Sequence, residues 1–386
     1  MLLERHEPGQ ILQDALDRVR SGAGEIATVS GEAGIGKSVL LRAFAEQVAA
    51  SARVLWGACD DLRTPRPLGP LIDLAPAAGP PLLDALSSGA ARDVVFAATL
   101  DTLRGSAEPI VMLIEDAHWA DEATLDLLTF LGRRISTARV LLVITYRDDE
   151  VGRAHPLRAV LGDVTAAIGS RIHLRPLSLQ SVTAMAASRR VDPAELHRLT
   201  AGNPFFVTES LAAEPPELPV SVRDAVLARA GRLSESGRRA LDARAVVPGR
   251  AELWLLDVLA GADIAGIDEC IQAGVLHTAG DAVNFRHELA RMAVLSAVPP
   301  ARRRELHRQA LQALASPPSG EPDVTRLAHH AEEAADPGAI SSYAPQAAAL
   351  ASVRGAHRAA VAHLAAALRR PLARRGPRRP VLAPGS

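Results

Sequence analysis

The sequence predicts an α/β domain built on a parallel sheet, followed by a half that is almost wholly helical. Three observations carry this reading. The apolar runs EIATVS (25–30), RVLWGA (53–58), IVMLI (110–114) and VLLVITY (140–146) alternate with helical segments, the pattern of strands covered on both faces. After residue 177 such runs nearly vanish and helical spacing takes over. Aromatic residues are only 3% of 386, so the core consists mainly of Ala, Leu and Val, which suits helix packing more than a β-sandwich.

Each element follows in order. GQILQDALDRVR (9–20) places Ile11, Leu12, Ala15, Leu16 and Val19 at helical spacing, and the glycines at 22 and 24 end that helix. The first strand leads through a glycine-rich turn into a helix at 37–50. After the second strand come a Pro-rich loop and apolar helices to about residue 104, then IVMLI, the helix DEATLDLLTFLGRRI, and VLLVITY. RIHLRPL (171–177) is expected as a fifth strand. Helices are expected at 178–188, 193–200, 204–213, 220–231, 236–246, 251–259 and 264–273. GVLHTA and AVNFRH then pair as a hairpin resembling the wing of a winged-helix unit, and 287–315 returns to helix. From 324 the chain reads as Ala-rich helix pairs, ending in an Arg/Pro tail too rich in both residues to build a core.

Composition excludes several classes. With 43 basic and 44 acidic residues the net charge is -1, so no overall positive field draws the chain to nucleic acid or an anionic membrane. Two cysteines, Cys59 and Cys270, lie far apart without metal spacing, the usage of a reducing compartment. No signal-peptide pattern opens the chain and no apolar run nears ~18 residues, so a cytoplasmic protein is expected. Of the 43 basic residues 42 are Arg, and the single lysine is Lys37.

That lysine belongs to Gly31-Glu32-Ala33-Gly34-Ile35-Gly36-Lys37-Ser38, which matches GxxxxGK[ST] between a strand and a helix. Glycines let successive N–H groups face phosphate oxygens, and the helix start adds its partial positive charge. Lys37 reaches the β/γ-phosphates and the Ser38 hydroxyl ligates Mg²⁺; Val39 completes the segment. The bland alternative is a glycine turn beside a surface lysine. Glu115-Asp116 ends the IVMLI strand, where open α/β sheets bind ligands. Two adjacent acids suit a pair in which one holds Mg²⁺ and the other orients water, or else they cap the next loop. Arg147 ends the following strand and can sense a γ-phosphate, or instead pair with Asp148, Asp149 or Glu150. His329-His330, without acidic or cysteine partners at ligand spacing, reads as a solvated helix face and not as a metal site, and Trp119 beside His118 as packing.

With these residues placed, the chain resembles the nucleotide-binding part of the large LuxR-type, MalT-like regulators of the STAND class, related to AAA ATPases. The likeness runs from about residue 2 to 370 and rests on LLERHEPGQIL, SGEAGIGKS, LIEDAHWADEATLDLL, ITYR, AGNPFFVTESL and VNFRHELARMAVLSAVPPARRRELHRQAL. It implies a P-loop sheet of AAA/STAND type at 1–177, an all-α lid at 178–215, a winged-helix-like domain and arm at 216–320, and the start of a TPR-like repeat at 321–370. A disordered tail fills 371–386. By the same resemblance Arg5 packs near the adenine and Pro204 contacts the base. The implied function is an ATP-Mg²⁺ switch with slow hydrolysis, ATP lying between the α/β domain and the lid, and a role in transcription regulation. Glu115 departs from the Asp usual in the acidic pair. No helix-turn-helix follows within the 386 residues, so a truncated regulator that does not bind DNA alone is expected. An inducer or partner protein at the helical half and nucleotide-dependent self-association complete the expectation. The alternatives are an ATPase module of the kind fused to cyclase or kinase domains, and a nucleotide-stabilised docking module.

Overall fold

The computed structural model describes residues 3–368, apart from 63, 190, 213–221, 250, 262–263, 281 and 286–287. Helix α1 (His6–Arg20) precedes β1 (Glu25–Ser30), α2 (Lys37–Val48) and β2 (Arg53–Ala58). Three helices follow, α3 (Gly69–Ala78), α4 (Pro80–Ser87) and α5 (Arg92–Arg104), then β3 (Ile110–Glu115), α6 (Glu122–Gly132), β4 (Val140–Tyr146), α7 (Pro156–Asp163) and β5 (Ile168–His173). The strands form one parallel sheet in the order β2-β3-β4-β1-β5. Alternate residues of each strand feed two cores. Val111, Leu113, Leu141 and Val143 face α1 and α2, whereas Met112, Ile114, Leu142 and Ile144 face α3 to α7. Because β3, β4 and β1 are neighbours, their carboxyl ends bring the phosphate loop, Glu115 and Arg147 to one edge.

The fifth strand begins at Ile168, earlier than the apolar run RIHLRPL suggests. β5 is an edge strand held only by β1, so pairing decides its limits; the register shifts opposite Ile26 and Ala27, and Gly169 fits there because a Cβ would stand 2.7 Å from the Glu25 carboxylate.

The second half comprises α8 (Leu179–Ala186), α9 (Pro193–Thr200), α10 (Pro204–Ala212), α11 (Val222–Gly231), α12 (Glu235–Ala245), β6 (Ala251–Glu252), α13 (Leu253–Ala260), α14 (Ile264–Gln272), β7 (Leu276–Ala279) and β8 (Ala282–Phe285). Helices α15 (Glu288–Ala297), α16 (Pro300–Leu314), α17 (Val324–Glu333), α18 (Pro337–Val353) and α19 (His357–Leu368) complete it. The expected hairpin forms as β7 and β8. The expected helix at 251–259 starts two residues late, because Ala251 and Glu252 pair with Val283 and Ala282 as a third strand.

Two features of this half differ from expectation. Helices α18 and α19 fold back onto the sheet domain: Ala348, Ala351, Ala356, Ala359 and Ala360 join the α3–α7 core, and Arg354 donates to the Pro67 carbonyl at 3.1 Å. His330 is buried, not solvated, because α17 turns the face carrying Leu327, His330 and Ala331 against α16, where the Nδ1 atoms of His330 and His307 lie 2.9 Å apart. Burial pushes His307 down to about 3 and His330 well below the ordinary range, so both rings are neutral at pH 7. The Arg/Pro tail at 371–386 lies outside the described residues. Among those described, no helix is long and apolar enough to cross a membrane.

Candidate functional site

The phosphate loop spans β1 and α2. Gly34 and Gly36 adopt φ of 77° and 101°, which glycine reaches without steric cost. At Gly34 a side chain is also excluded by space, since a Cβ would stand 2.9 Å from Phe205 Cβ and 3.0 Å from Asn203 Oδ1. Asn203, just before α10, donates from Nδ2 to the Ala33 carbonyl at 2.9 Å and accepts the Phe205 N–H. The start of α10 is therefore fastened to the loop through a side chain that simultaneously caps its own helix.

Lys37 is buried and donates from Nζ to the carbonyls of Gly31 (2.7 Å) and Glu32 (3.0 Å). Burial holds its pKa below the ordinary lysine value against the pull of Asp116, and Arg147 adds to the depression. Glu115, at the last position of β3, accepts the Trp56 indole N–H at 3.1 Å through Oε2, while Oε1 is buried without a hydrogen-bond partner. Asp116 sits in the left-handed region at φ 52° with its N–H bonded to Thr145 Oγ1, a conformation that aims its side chain away from the strand axis into the cleft. Arg147 is buried, stands 4.5 Å from the centre of the Trp119 ring, and pairs with Glu150 at 2.5 Å. The ion pair expected as the alternative is thus made, with Glu150, and the same side chain lines the cleft. Its N–H reaches His118 Nδ1 at 3.4 Å, and burial beside Arg147 and Lys37 pushes that imidazole down to about 3, leaving it uncharged.

These residues border one cleft of about 610 Å³, a size that suits a nucleotide. Ala33, Gly34, Gly36, Lys37, Ser38, Val39, Glu115, Asp116 and Arg147 line it. Gly31, Glu32 and Ile35 complete the loop outside the lining, as do two residues expected at the base. Arg5 donates to the carbonyls of Ile35 and Arg175, each at 2.9 Å, so its guanidinium braces the loop from behind. Pro204 opens α10 as its first residue and is likewise outside the lining. The facing wall comes from the hairpin unit and not from α8 to α10, where a lid was expected: Arg244, Gly249, His277, Asn284, Phe285 and Arg291 line it. Arg244 donates to Asn284 Oδ1 at 3.0 Å, and Arg291 crosses to Asp61 at 3.3 Å. Sequence reading missed this wall, and its signal was only the hairpin itself.

Beneath the cleft, Arg66 bridges Asp60 (2.9 Å) and Asp73 (3.0 Å). Burial opposes its charge, but the two carboxylates outweigh that and hold the guanidinium firmly protonated. Asp121, the N-cap of α6, spends its carboxylate on Ala123, Thr124 and Leu68 N–H groups and is structural.

Residues 2–144 match the AAA ATPase domain family. None of the curated proteins matches the chain in sequence. Among solved structures, the STAND protein with a tetratricopeptide repeat sensor from Pyrococcus horikoshii aligns at 16% identity and a TM-score of 0.56, over 92% of this chain and 57% of that one. This chain therefore spans little more than half of that protein's length. The Walker-type ATPase of Pyrococcus abyssi (14% identity, 76% of this chain and 96% of that one, TM-score 0.41) and Cdc6p of Pyrobaculum aerophilum (13%, 77% and 95%, 0.44) are more distant. Residues 2–144 thus match an AAA ATPase domain, and the chain shares the fold of that STAND protein, a five-stranded parallel P-loop sheet with a helical C-terminal part.

Proposed function

We propose that this protein is a nucleotide-dependent signalling switch of the LuxR/MalT-like type, binding ATP with Mg²⁺ in the cleft and hydrolysing it slowly. The observation that carries the reading is the convergence of Lys37, Glu115, Asp116 and Arg147 on one cleft that a second structural unit closes from the far side. The residues fit a metal-bound nucleotide. Gly34 and Gly36 leave a cradle that side chains would fill, Lys37 makes bonds to its own loop that it can exchange for phosphate oxygens, and Glu115 Oε1 is a buried carboxylate oxygen lacking a partner.

In this reading Ser38 and Glu115 hold Mg²⁺, which when bound neutralises phosphate charge. Asp116, the more exposed acid, orients water. Lys37 and the loop amides hold the β/γ-phosphates, and Arg147, fixed by Trp119 and Glu150, senses the γ-phosphate. The hairpin unit is the element such a site can move, since Arg291 and Arg244 stand where the occupied cleft is felt. Output is transcription regulation through a partner or inducer at the helical half, with TPR-like helices as the docking element. Measuring ATP and ADP dissociation constants for wild type and Lys37→Ala tests the reading: a large loss of both in the variant is expected, and equal binding by the two proteins refutes it.

A further inference from the structure

Away from the cleft, α16 and α17 bring three histidines together. One ring nitrogen from each of His307, His329 and His330 lies within 4.8 Å of the others. His307 and His330 are buried, and their facing Nδ1 atoms are 2.9 Å apart. Two ligands on a tetrahedral zinc at roughly 2.0–2.1 Å are separated by about 3.3 Å, so this pair already stands near the required edge. His329 is half-buried and borders a cavity of about 220 Å³, which leaves its ring room to close the remaining distance.

We propose that His307, His329 and His330 form a site for a divalent transition-metal ion of the zinc type, with a fourth position open to the adjoining cavity. Three further observations support it. His307 Nε2 is buried with no hydrogen-bond partner, so the one hydrogen bond between the Nδ1 atoms of His307 and His330, which a bound ion would replace, does not use up the cluster's polar capacity. The nearby arginines are matched by acids: Arg303 with Glu333 at 2.9 Å, Arg326 with Glu252 at 2.8 Å and Arg291 with Asp61 at 3.3 Å, so the cluster is not set in an unbalanced positive field. Three imidazoles without carboxylate ligands favour zinc, copper or nickel over magnesium or calcium, which separates this site chemically from the nucleotide cleft. A bound ion would tie α16 to α17, and thereby fix the hairpin unit to the helices that fold back on the sheet domain.

The test uses the full chain stripped with chelator and titrated calorimetrically with Zn²⁺, with Co²⁺ in parallel for its visible ligand-field absorption. One tightly held Zn²⁺ per chain is expected, with micromolar or better affinity. Each of His329→Ala and His307→Gln should weaken it by about tenfold or more and weaken the Co²⁺ bands. Lys37→Ala should leave zinc binding unchanged. Should His307→Gln fail to fold, His329→Ala, at the partly exposed position, still decides the matter. Equal zinc affinity in wild type and His329→Ala, or no stoichiometric zinc at micromolar concentration, overturns the proposal.

Discussion

On the proposed function, Asp116→Asn should separate hydrolysis from binding. The side chain occupies a left-handed position, which Asn tolerates as well as Asp, so no backbone strain is added. Its neighbour His118 Nδ1 lies 4.0 Å away, and that imidazole is neutral near pH 7, so the contact with His118 carries little charge to lose. Asn keeps the size of Asp and tolerates the same backbone conformation, so folding stability should change by less than about 1 kcal/mol. ATP should bind at least as tightly as to wild type, because a negative charge near the phosphates is removed. Losing a water-orienting carboxylate costs roughly 10²- to 10⁴-fold, or about 2.7–5.5 kcal/mol on the barrier. Single-turnover phosphate release with excess protein, alongside equilibrium ATP binding and urea unfolding, reads all three quantities. Release within threefold of wild type would refute the role given to Asp116. Retained binding with lost hydrolysis in Glu115→Gln, and not in Asp116→Asn, would exchange the two acids.

Three further outcomes follow from the packing. Arg66→Met leaves Asp60 and Asp73 facing each other in a largely buried site, and urea unfolding should show a loss of about 3–5 kcal/mol; a loss below about 1 kcal/mol would mean that the triad is solvated. Asn203→Ala removes the bond to Ala33 and the cap of α10, so stability should fall by about 1–2 kcal/mol and hydrogen exchange should accelerate in the phosphate loop and α10 together. Unchanged exchange in the loop would show that α10 does not hold it. Cys270 is buried, donates to the Gly237 carbonyl and has its thiol pushed up to about 12, so the unfolded chain releases that proton first and stability should fall as pH rises from 9 towards 12, by up to about 1.4 kcal/mol per unit. Cys270→Ala should flatten this limb, and an identical slope in the variant would assign it elsewhere.

Much of the site was legible because its parts are local. The loop from Gly31 to Ser38 is contiguous, and Glu115-Asp116 and Arg147 stand at the ends of apolar runs whose burial marks them as strands. A parallel sheet then places those ends side by side. Arg5 was expected near the adenine from the resemblance alone; its role as a brace of the loop was not legible, because its partners at Ile35 and Arg175 are carbonyls that any residue type supplies. The burial of His330 was illegible because the alternation on α17 does not say which helix covers it.

By itself the sequence determined the alternating strands and helices, the phosphate loop around its one lysine, and the acids beside it, since each depends on short-range spacing and on which faces are apolar. Only the tertiary structure decided that the hairpin unit walls the cleft, that α18 and α19 return to the sheet domain, and that three histidines meet. Those contacts join surfaces from separate elements, and their pairing follows from the packing of whole helices and not from any local signal.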